Sequence, residues 1–332
     1  MAGIVYGSPY RPPAPAAPAF SGFEMRWEAK GTSWPLTNPK TGLFLMPGVR
    51  GLGTVTHERH SSSSPAAPGS RFEGVSALDR EAFWPLYIYH DGGSVDWMLR
   101  DRAFWFTMDP LVPGVWVITL PDGSERSIGL RFVDDGDPVQ SHDPMRRGWN
   151  KYGIKLVAEQ PYWTGEPVVR SWKNRDTAPF FEATGPQIVN IAPGSDTSTA
   201  AIDNPGDVES YATWFVDGPT PSASVGIGDQ IVDIPFLVDD GQCLVIDSDP
   251  DLIGATLYDI SPEQLAFPED KRKKPADRVV GVDLVNPVDM TAALGEADFA
   301  PIPAGKSVQL AVVLAGTGAV EIKLPTLYRR AW

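Results

Sequence analysis

The side chains of this 332-residue chain that could carry out chemistry are four histidines, one cysteine and 42 acidic residues. His90 precedes Asp91 and His142 precedes Asp143, a pairing that could serve a nucleophile only if a third residue joined it from another element. No G-x-S-x-G elbow, H-E-x-x-H run or C-x-x-C pair accompanies them. The two pairs are therefore interpreted as polar loops, and we predict no catalytic residue.

The sequence supports a metal site or a phosphate site no better than it supports a catalytic site. His57 and His60 could share a metal only on a helix, and their segment has no helical period. The acidic run 134–137 has no carboxylate at the downstream spacing of a calcium loop, and the run 247–251 lacks that loop's glycine and distal glutamate. The glycine-rich bend 48–53 lacks the lysine of a phosphate loop. We predict no metal site and no cofactor.

Charge and composition narrow the class of protein. The net charge of −14 argues against nucleic-acid binding, which depends on cations that neutralise phosphates, although acidic walls would let DNA pass through a channel without holding it. The content of 33 Pro and 32 Gly suits short strands joined by turns. No apolar run could span a bilayer, and the single Cys243 cannot form an internal disulfide. We predict a mainly β protein, made in a cytoplasm and not inserted in a membrane.

The elements fall into an arm and two domains. Residues 1–20 are rich in Pro and Ala and predict an extended arm. Residues 21–175 are rich in tryptophan and form the first predicted domain. Residues 176–332 carry turn signals every ten or so residues, which is typical of a β-sandwich. A loop insertion near 266–297 contains the basic run Lys271-Arg272-Lys273-Lys274.

One helix and one hairpin are predicted with particular clarity in the first domain. The helix covers 94–108, because Ser94 can cap its start and Asp109-Pro110 ends it. Both of its adjoining stripes carry aromatic residues, so we expect more than one buried face, one of them against a neighbouring subunit. The hairpin pairs 115–120 with 126–132 around the turn 121–124.

The order and spacing of several motifs resemble the distal tail proteins of long-tailed bacteriophages, including minor tail proteins of actinobacterial phages. The resemblance covers nearly everything after residue 20. The motifs that carry it are Trp34-Pro35-Leu36, Gly48-Val49-Arg50-Gly51-Leu52-Gly53, Arg80-Glu81-Ala82-Phe83-Trp84-Pro85-Leu86, Trp97 through Trp105, Pro121-Asp122-Gly123, Phe132-Val133-Asp134-Asp135-Gly136-Asp137, Ala158-Glu159-Gln160-Pro161-Tyr162-Trp163, Asn204-Pro205-Gly206-Asp207, Trp214 to Pro219 and Val245-Ile246-Asp247-Ser248-Asp249.

The resemblance implies an amino-terminal β-sandwich with one helix and a long hairpin, followed by a galectin-like or carbohydrate-module-like β-sandwich. It further implies a homo-hexameric ring at the tail tip of a virion. That ring would join the tail tube protein to the central, tail-associated protein and leave a channel for DNA. A ring needs two different contact faces on each subunit. The candidates for ring contact are Trp97, Met98, Arg102, Phe104, Trp105, Trp116 and Ile118.

Two other classes of function stay open at this point. A module that binds host cell-wall glycan would stack aromatic rings on sugar, and Tyr211 and Trp214 are its candidates. Strand alternation places Trp214 with Ala212 and Val216, however, and both faces of that strand are apolar enough to be core. A cell-wall hydrolase is the third class, and no recognisable site supports it.

Overall fold

The computed structural model describes residues 22–64, 68–92, 94–136, 142–173, 200–268, 271–294 and 297–332. Two compact units divide the chain: unit 1 runs to Gly165 and also includes Tyr328–Trp332, and unit 2 is Glu166–Leu327. The last five residues thus return to unit 1, so that unit 2 is inserted into the chain of unit 1. The predicted Pro-rich arm and a predicted strand at 187–191 lie outside the described residues.

Unit 1 is an antiparallel sheet with one substantial helix. The elements are β1 (Glu24–Ala29), β2 (Thr32–Pro35), β3 (Leu43–Leu45), β4 (His57–Ser62), β5 (Arg71–Ala77), β6 (Arg80–Tyr89), α1 (Ser94–Trp105), β7 (Gly114–Thr119), β8 (Glu125–Asp134), α2 (Pro144–Arg147), β9 (Trp149–Ala158), β10 (Trp163–Thr164) and β21 (Leu327–Tyr328). The strands follow the order β2-β1-β7-β8-β9-β6-β3, with β10 paired to β8 and β21 paired to β10. A separate two-stranded hairpin is formed by β4 and β5.

Tryptophan rings form the interior of unit 1. Trp27 and Trp84 meet edge to face with ring centroids 5.3 Å apart, Trp84 and Trp116 lie 5.1 Å apart, and Trp116 and Trp163 lie 5.1 Å apart. All four are at most 1% exposed. They come from β1, β6, β7 and β10, so this chain of rings connects strands that are distant in sequence. Edge-to-face pairs add to the free energy gained by burying so much ring surface.

A buried arginine ties the carboxyl terminus into unit 1. Arg80 is 3% exposed and donates to the carbonyl oxygens of Gly51, Gly53, Pro161 and Arg329, at distances of 2.5 to 2.9 Å. The glycine-rich bend therefore points its carbonyl groups at a guanidinium and not its N–H groups at a phosphate. Gly51 has φ of +104°, and a Cβ there would lie 2.9 Å from the Cβ of Ala82, which explains the glycine.

Unit 2 is a β-sandwich. One sheet has the order β11-β20-β13-β16-β17-β18 and the other β12-β19-β14-β15. Their facing side chains, among them Trp214 and Ile322 from the first sheet and Val225 and Val312 from the second, share one core. The elements are β11 (Val168–Lys173), β12 (Ala201–Asp203), β13 (Thr213–Asp217), β14 (Ala223–Ile227), β15 (Gln230–Ile234), β16 (Gln242–Asp247), β17 (Gly254–Ile260), α3 (Pro262–Leu265), β18 (Leu284–Asp289), β19 (Ser307–Leu314) and β20 (Ala319–Leu324).

A second, smaller core lies on the outer face of the six-stranded sheet. The residues after β17 cover that face and bring Ala276 and Leu284 against Phe215, Cys243 and Ile260. Strand β13 is consequently buried on both sides: Trp214 and Val216 face the sandwich interior, and Phe215 faces this smaller core. The expectation that both faces of this strand are core is confirmed.

Most sequence expectations about the fold are confirmed. The protein is mainly β, and β7 pairs with β8 around the predicted turn, where the Asp122 carboxylate accepts from the Ser124 N–H at 2.9 Å. The predicted helix is correct but ends at Trp105, because the N–H groups of Thr107 and Met108 bond three residues back and the Thr107 hydroxyl donates to the Phe104 carbonyl. The hairpin β4–β5 was not predicted, since its serine-rich tip favoured a flexible loop.

Candidate interaction surfaces

The residues that could do chemistry are used locally in the structure. His60 lies on β4 with its Nε2 2.8 Å from the Ser76 hydroxyl, and no group of three metal-binding side chains occurs within the described ranges. The Nδ1 atom of His90 accepts from the Gly92 N–H at 2.8 Å. The His142 ring packs on Trp149 with centroids 4.0 Å apart, and the Asp143 carboxylate caps α2. The two His-Asp pairs therefore position turns.

The acidic runs are also occupied by contacts of the chain itself. Asp134 accepts from the Gly136 N–H and from the Lys155 ammonium, which lies 2.9 Å away and lowers the pKa of the Asp134 carboxyl. Asp247 accepts from the Asp249 N–H at 3.0 Å, and burial raises the pKa of the Asp247 carboxyl. These contacts shape turns, and the described part of the chain holds no group of carboxylates that could bind a metal ion.

Four of the seven predicted ring-contact residues lie inside unit 1. Trp97 is 4% exposed, and Phe104, Trp116 and Ile118 are fully buried in the tryptophan-rich core. Their side chains have no surface to offer a second copy in this conformation. Trp97 and Phe104 pack from α1 into the core of unit 1, and Trp116 and Ile118 enter the same core from β7. The other three are reachable: Met98 and Trp105 are half-buried, and Arg102 is exposed.

The helix stripe that also contains Asp101 turns inward. The Tyr152 hydroxyl donates to the Asp101 carboxylate at 2.6 Å. Burial raises the pKa of Asp101, and burial together with the neighbouring carboxylate raises the pKa of Tyr152. This hydrogen bond links α1 to β9 and fixes which side of the helix faces the sheet.

The opposite side of α1 presents apolar side chains to solvent. Val95, Leu99 and Phe106 are 64%, 56% and 68% exposed, and the loop after the helix adds Leu111 at 82% and Val112 at 53%. Helical spacing places the first two on one line that continues through Arg102 toward Phe106. We name these five apolar residues with Arg102 the α1 outer stripe. Sequence reasoning missed it, although the spacing of four between Val95 and Leu99 was a usable signal.

The loop at the end of the stripe is held in place by charged groups. The Lys30 ammonium lies 4.4 Å from the centre of the Phe106 ring and 2.7 Å from the Asp109 carboxylate. The Asp109 side chain also accepts from the N–H groups of Leu111 and Val112. The hydrogen bond from Lys30, followed by these backbone contacts, lowers the pKa of the Asp109 carboxyl. The exposed apolar side chains are therefore presented by an ordered turn.

The hairpin β4–β5 is a second exposed feature of unit 1. Every residue of β4 is exposed, and β5 exposes Phe72 at 55% and Val75 at 56%. Its side-chain contacts run between its own strands, such as the Ser62 hydroxyl to Glu73 at 2.6 Å and the Arg59 guanidinium over the Phe72 ring. A two-stranded hairpin is marginally stable alone in water, so its long exposed strands are suited to contact another molecule.

A groove of about 1200 Å³ lies where this hairpin joins the sheet. Leu78, which is 43% exposed, and Val133, which is 56% exposed, belong to its apolar lining. Glu81 and Lys155 supply charges within it. The groove is open, and its lining combines apolar and charged side chains, as protein contacts do.

The predicted glycan residues lie in the wall of the sandwich. Trp214 is 1% exposed and packs in the interior, so its ring face is closed to a sugar. Tyr211 is half-buried, and burial raises the pKa of its hydroxyl. The pair does not form an aromatic platform.

No long apolar helix capable of crossing a bilayer is found among the residues that the structure describes. No protein-family model matches the sequence, and no curated protein matches it. Comparison with solved structures gives a clear result. The crystal structure of phage SPP1 Dit, described as a hub of the adsorption apparatus in phages that infect Gram-positive bacteria, matches with a TM-score of 0.56 and 13% identity, and covers 91% of this chain and 98% of its own.

Two structures of the phage P2 baseplate in its activated conformation give similar matches. The calcium form has a TM-score of 0.50 and 11% identity over 92% of this chain and 98% of the baseplate chain. The strontium form has a TM-score of 0.50 and 11% identity over 91% and 97%. The likeness extends through both units, although so few residues are identical. The chain has the fold of the phage Dit proteins.

Proposed function

We propose that this protein is a structural hub of a phage tail tip, in which six copies form a ring that joins the tail tube protein to the central, tail-associated protein. The observation that carries the proposal is that the likeness to SPP1 Dit spans both proteins almost completely, at 91% and 98% of their lengths. Its location would be the virion, and its partners would be identical copies and neighbouring tail proteins.

The surface of unit 1 supports a ring. Closed rings use heterologous contacts, in which one patch of each copy meets a different patch of the next. The α1 outer stripe and the hairpin β4–β5 with its groove are two such patches, and both expose apolar side chains that a monomer has no use for. Arg102 belongs to the first patch and Met98 and Trp105 adjoin it, so these three stay candidates for ring contact.

The charge of the chain is compatible with a channel. A lumen through which DNA moves must not bind it, and a net charge of −14 provides repulsion and not attraction. We propose that DNA passes without specific contacts and that the role is structural.

The first experiment is the absolute mass of the full-length protein by light scattering, with negative-stain class averages of the same sample. We expect a mass of six times 36.0 kDa and six-fold rings with a central opening. Mixing with the tail tube protein tests whether the ring needs a template. A protein that stays monomeric alone and with the tube protein would contradict the proposal.

Surface variants then test the two patches. Leu99→Glu and Phe106→Glu place charges on the α1 outer stripe, and Phe72→Glu places one on the hairpin; each should shift the ring toward monomers because a buried unpaired charge is costly. Val313→Glu is the matched control, since it is an equally exposed apolar residue on unit 2. Circular dichroism checks that each variant folds.

A further inference from the structure

The basic run 271–274 and the insertion around it are not among the proposed ring contacts, and they build an unusual feature of unit 2. Between the short helical turn Pro275–Asp277 and β18, the chain makes a tight loop, residues 278–284, that we name the valine loop. The loop exposes three valine side chains: Val279 is 53% exposed, Val280 59% and Val282 61%. Three exposed valines within four residues of one turn are not required by folding, because any polar residue would be better solvated there.

The base of the valine loop is fixed by buried ion pairs. The Arg278 guanidinium binds both carboxylate oxygens of Asp217 on β13, at 2.6 and 2.8 Å, and the two side chains are only 4% and 16% exposed. At the other end, the buried Asp283 carboxylate accepts from the Lys273 ammonium at 2.6 Å, the Gln264 amide at 2.9 Å and the Val279 N–H at 2.9 Å. Two ends of the loop are therefore anchored to different parts of unit 2.

The loop backbone is equally constrained. The Val279 carbonyl accepts from the N–H groups of Val282, Asp283 and Leu284, and the Gly281 N–H donates to the Leu284 carbonyl at 2.8 Å. Gly281 has φ of +83° with open space where a Cβ would be, so glycine is needed for the turn and not for packing. The side chain of Leu284 is 1% exposed and closes the smaller core. The valines are thus held in one arrangement before any partner arrives, which lowers the entropy lost on binding.

From this geometry we propose that the valine loop is a preformed docking site for another protein of the virion, one that offers an apolar pocket rimmed by acidic residues. The partner's acidic rim would face Lys271 and Lys274, which are exposed on the same segment. The inference rests on the proposed function, because it takes the partner from the proteins that surround a tail hub.

Two other occupants fit less well. Loops that dock on membranes use Trp, Phe or Leu beside spare cations. Here the exposed apolar side chains of the loop are short valines with no aromatic residue among them, so they offer a bilayer little surface to bury. A second copy is disfavoured because the proposed ring contacts use patches of unit 1.

Thiol labelling can test the site in the assembled particle. Cys243 is the only cysteine of the chain and is fully buried, so Val280→Cys introduces a single accessible thiol. Val313→Cys and Ile231→Cys, at 62% and 46% exposure on the other sheet of unit 2, are the controls. Maleimide labelling rates are measured in the isolated full-length protein and in purified phage tails that contain each variant.

We expect Val280→Cys to react at least about tenfold more slowly in tails than in the isolated protein, while at least one control reacts equally in both. Tails that carry Val280→Asp with Val282→Asp should contain the hub but lose one other tail protein, as detected by mass spectrometry. Equal labelling of Val280→Cys in both samples would overturn the inference and leave the hub function intact.

The same samples separate the remaining outcomes. If Val280→Cys is already protected from labelling in the isolated ring, a second copy covers the loop. If the protein binds phosphatidylglycerol vesicles and Val280→Asp abolishes that binding, the loop docks on a membrane. Either result overturns the proposal. Mass spectrometry of wild-type tails comes first. Absence of the chain from them would refute the hub function itself, independently of any labelling result.

Discussion

Unit 1 and unit 2 are both built from antiparallel strands, but their interiors use different chemistry. Unit 1 connects its strands through four contiguous tryptophans, whereas the sandwich interior of unit 2 is aliphatic around Trp214. The indole N–H groups of Trp84, Trp116 and Trp163 find no hydrogen-bond partner among the described residues, so these three side chains contribute through ring packing.

In unit 2, charged side chains take part in the packing. It buries the charges of Asp217, Arg278, Asp283 and Glu321 around the segment that covers its outer face. The Glu321 carboxylate is 1% exposed and accepts from the Ala276 N–H at 2.8 Å, and burial raises its pKa. Unit 1 therefore obtains much of its order from the shape of large rings, while unit 2 obtains part of its order from ion pairs. Four variants test this difference.

The largest effect is expected for Trp84→Ala. It removes the ring that contacts both Trp27 and Trp116 and leaves a large cavity, so the free energy of unfolding of unit 1 should fall by about 4 kcal/mol. Hydrogen exchange of the full chain reports the two units separately, and protection should fall in unit 1 alone. Ile246→Ala, in the interior of unit 2, is the control and should lower protection there. Equal loss in both units would contradict a separate aromatic core.

Removing one partner of the ion pair comes next. Asp217→Ala leaves the Arg278 guanidinium buried without its carboxylate, which should cost about 3 kcal/mol and expose residues 261–284 to hydrogen exchange. The double variant Asp217→Leu with Arg278→Met removes both charges and should be close to neutral by urea denaturation. If Asp217→Ala is as stable as the double variant, the ion pair does not hold residues 261–284 against the sheet.

A smaller loss of stability is expected where a new side chain would crowd the row of four tryptophan rings. A Cβ at Gly114 would lie 2.2 Å from the Trp27 ring, so Gly114→Ala should cost about 1–3 kcal/mol through displacement of that ring. Gly129→Ala is a closely matched control, because it lies on the paired strand β8 with open space at its Cβ position. The control should raise stability by about 0.5 kcal/mol, as expected for Gly to Ala in a strand. Similar thermal midpoints for the two variants would argue against a tightly filled ring contact.

The smallest effect belongs to an exposed ion pair. Arg26 binds Glu125 with two contacts of 2.6 and 2.8 Å and lowers the pKa of Glu125 to about 2. A lowered carboxyl pKa stabilises the fold above the ordinary pKa of Glu, and the contribution is lost as the pH falls through about 2. Because Glu125 is 47% exposed, screening limits the gain to at most about 1 kcal/mol.

The Glu125→Gln variant measures that contribution. Its unfolding free energy should be lower than that of the wild type at pH 7, and the difference should shrink toward zero near pH 2. A difference that persists unchanged at pH 2 would show that the charge of Glu125 is not responsible.

Local patterns were sufficient for much of the fold. The β7–β8 hairpin follows from two alternating runs around Pro121-Asp122-Gly123-Ser124, and the start of α1 follows from Ser94, because turn and cap chemistry acts within a few residues. The hairpin β4–β5 could not be predicted in the same way. Its strands are polar and exposed on both faces, so they lack the alternation that burial imposes.

The sequence also could not show which face of α1 is exposed. Aromatic residues occur on several sides of α1, and pattern alone favoured Trp97 and Phe104 for contact with another copy. The structure buries these two and exposes Leu99 and Phe106, since the open side of the sheet accepts the larger rings and the Asp101 carboxylate finds Tyr152 there.

The mainly β class, the acidic charge and the order of motifs that resembles distal tail proteins can be read from the sequence, because composition and local spacing encode these properties directly. The sequence also shows no recognisable catalytic motif. Which apolar residues remain at the surface and which distant charges meet depends on the folded arrangement, because those contacts join residues far apart in the chain. Asp217 and Arg278 are 61 residues apart, and their pairing, with the valine loop that it anchors, depends on how the whole of unit 2 folds.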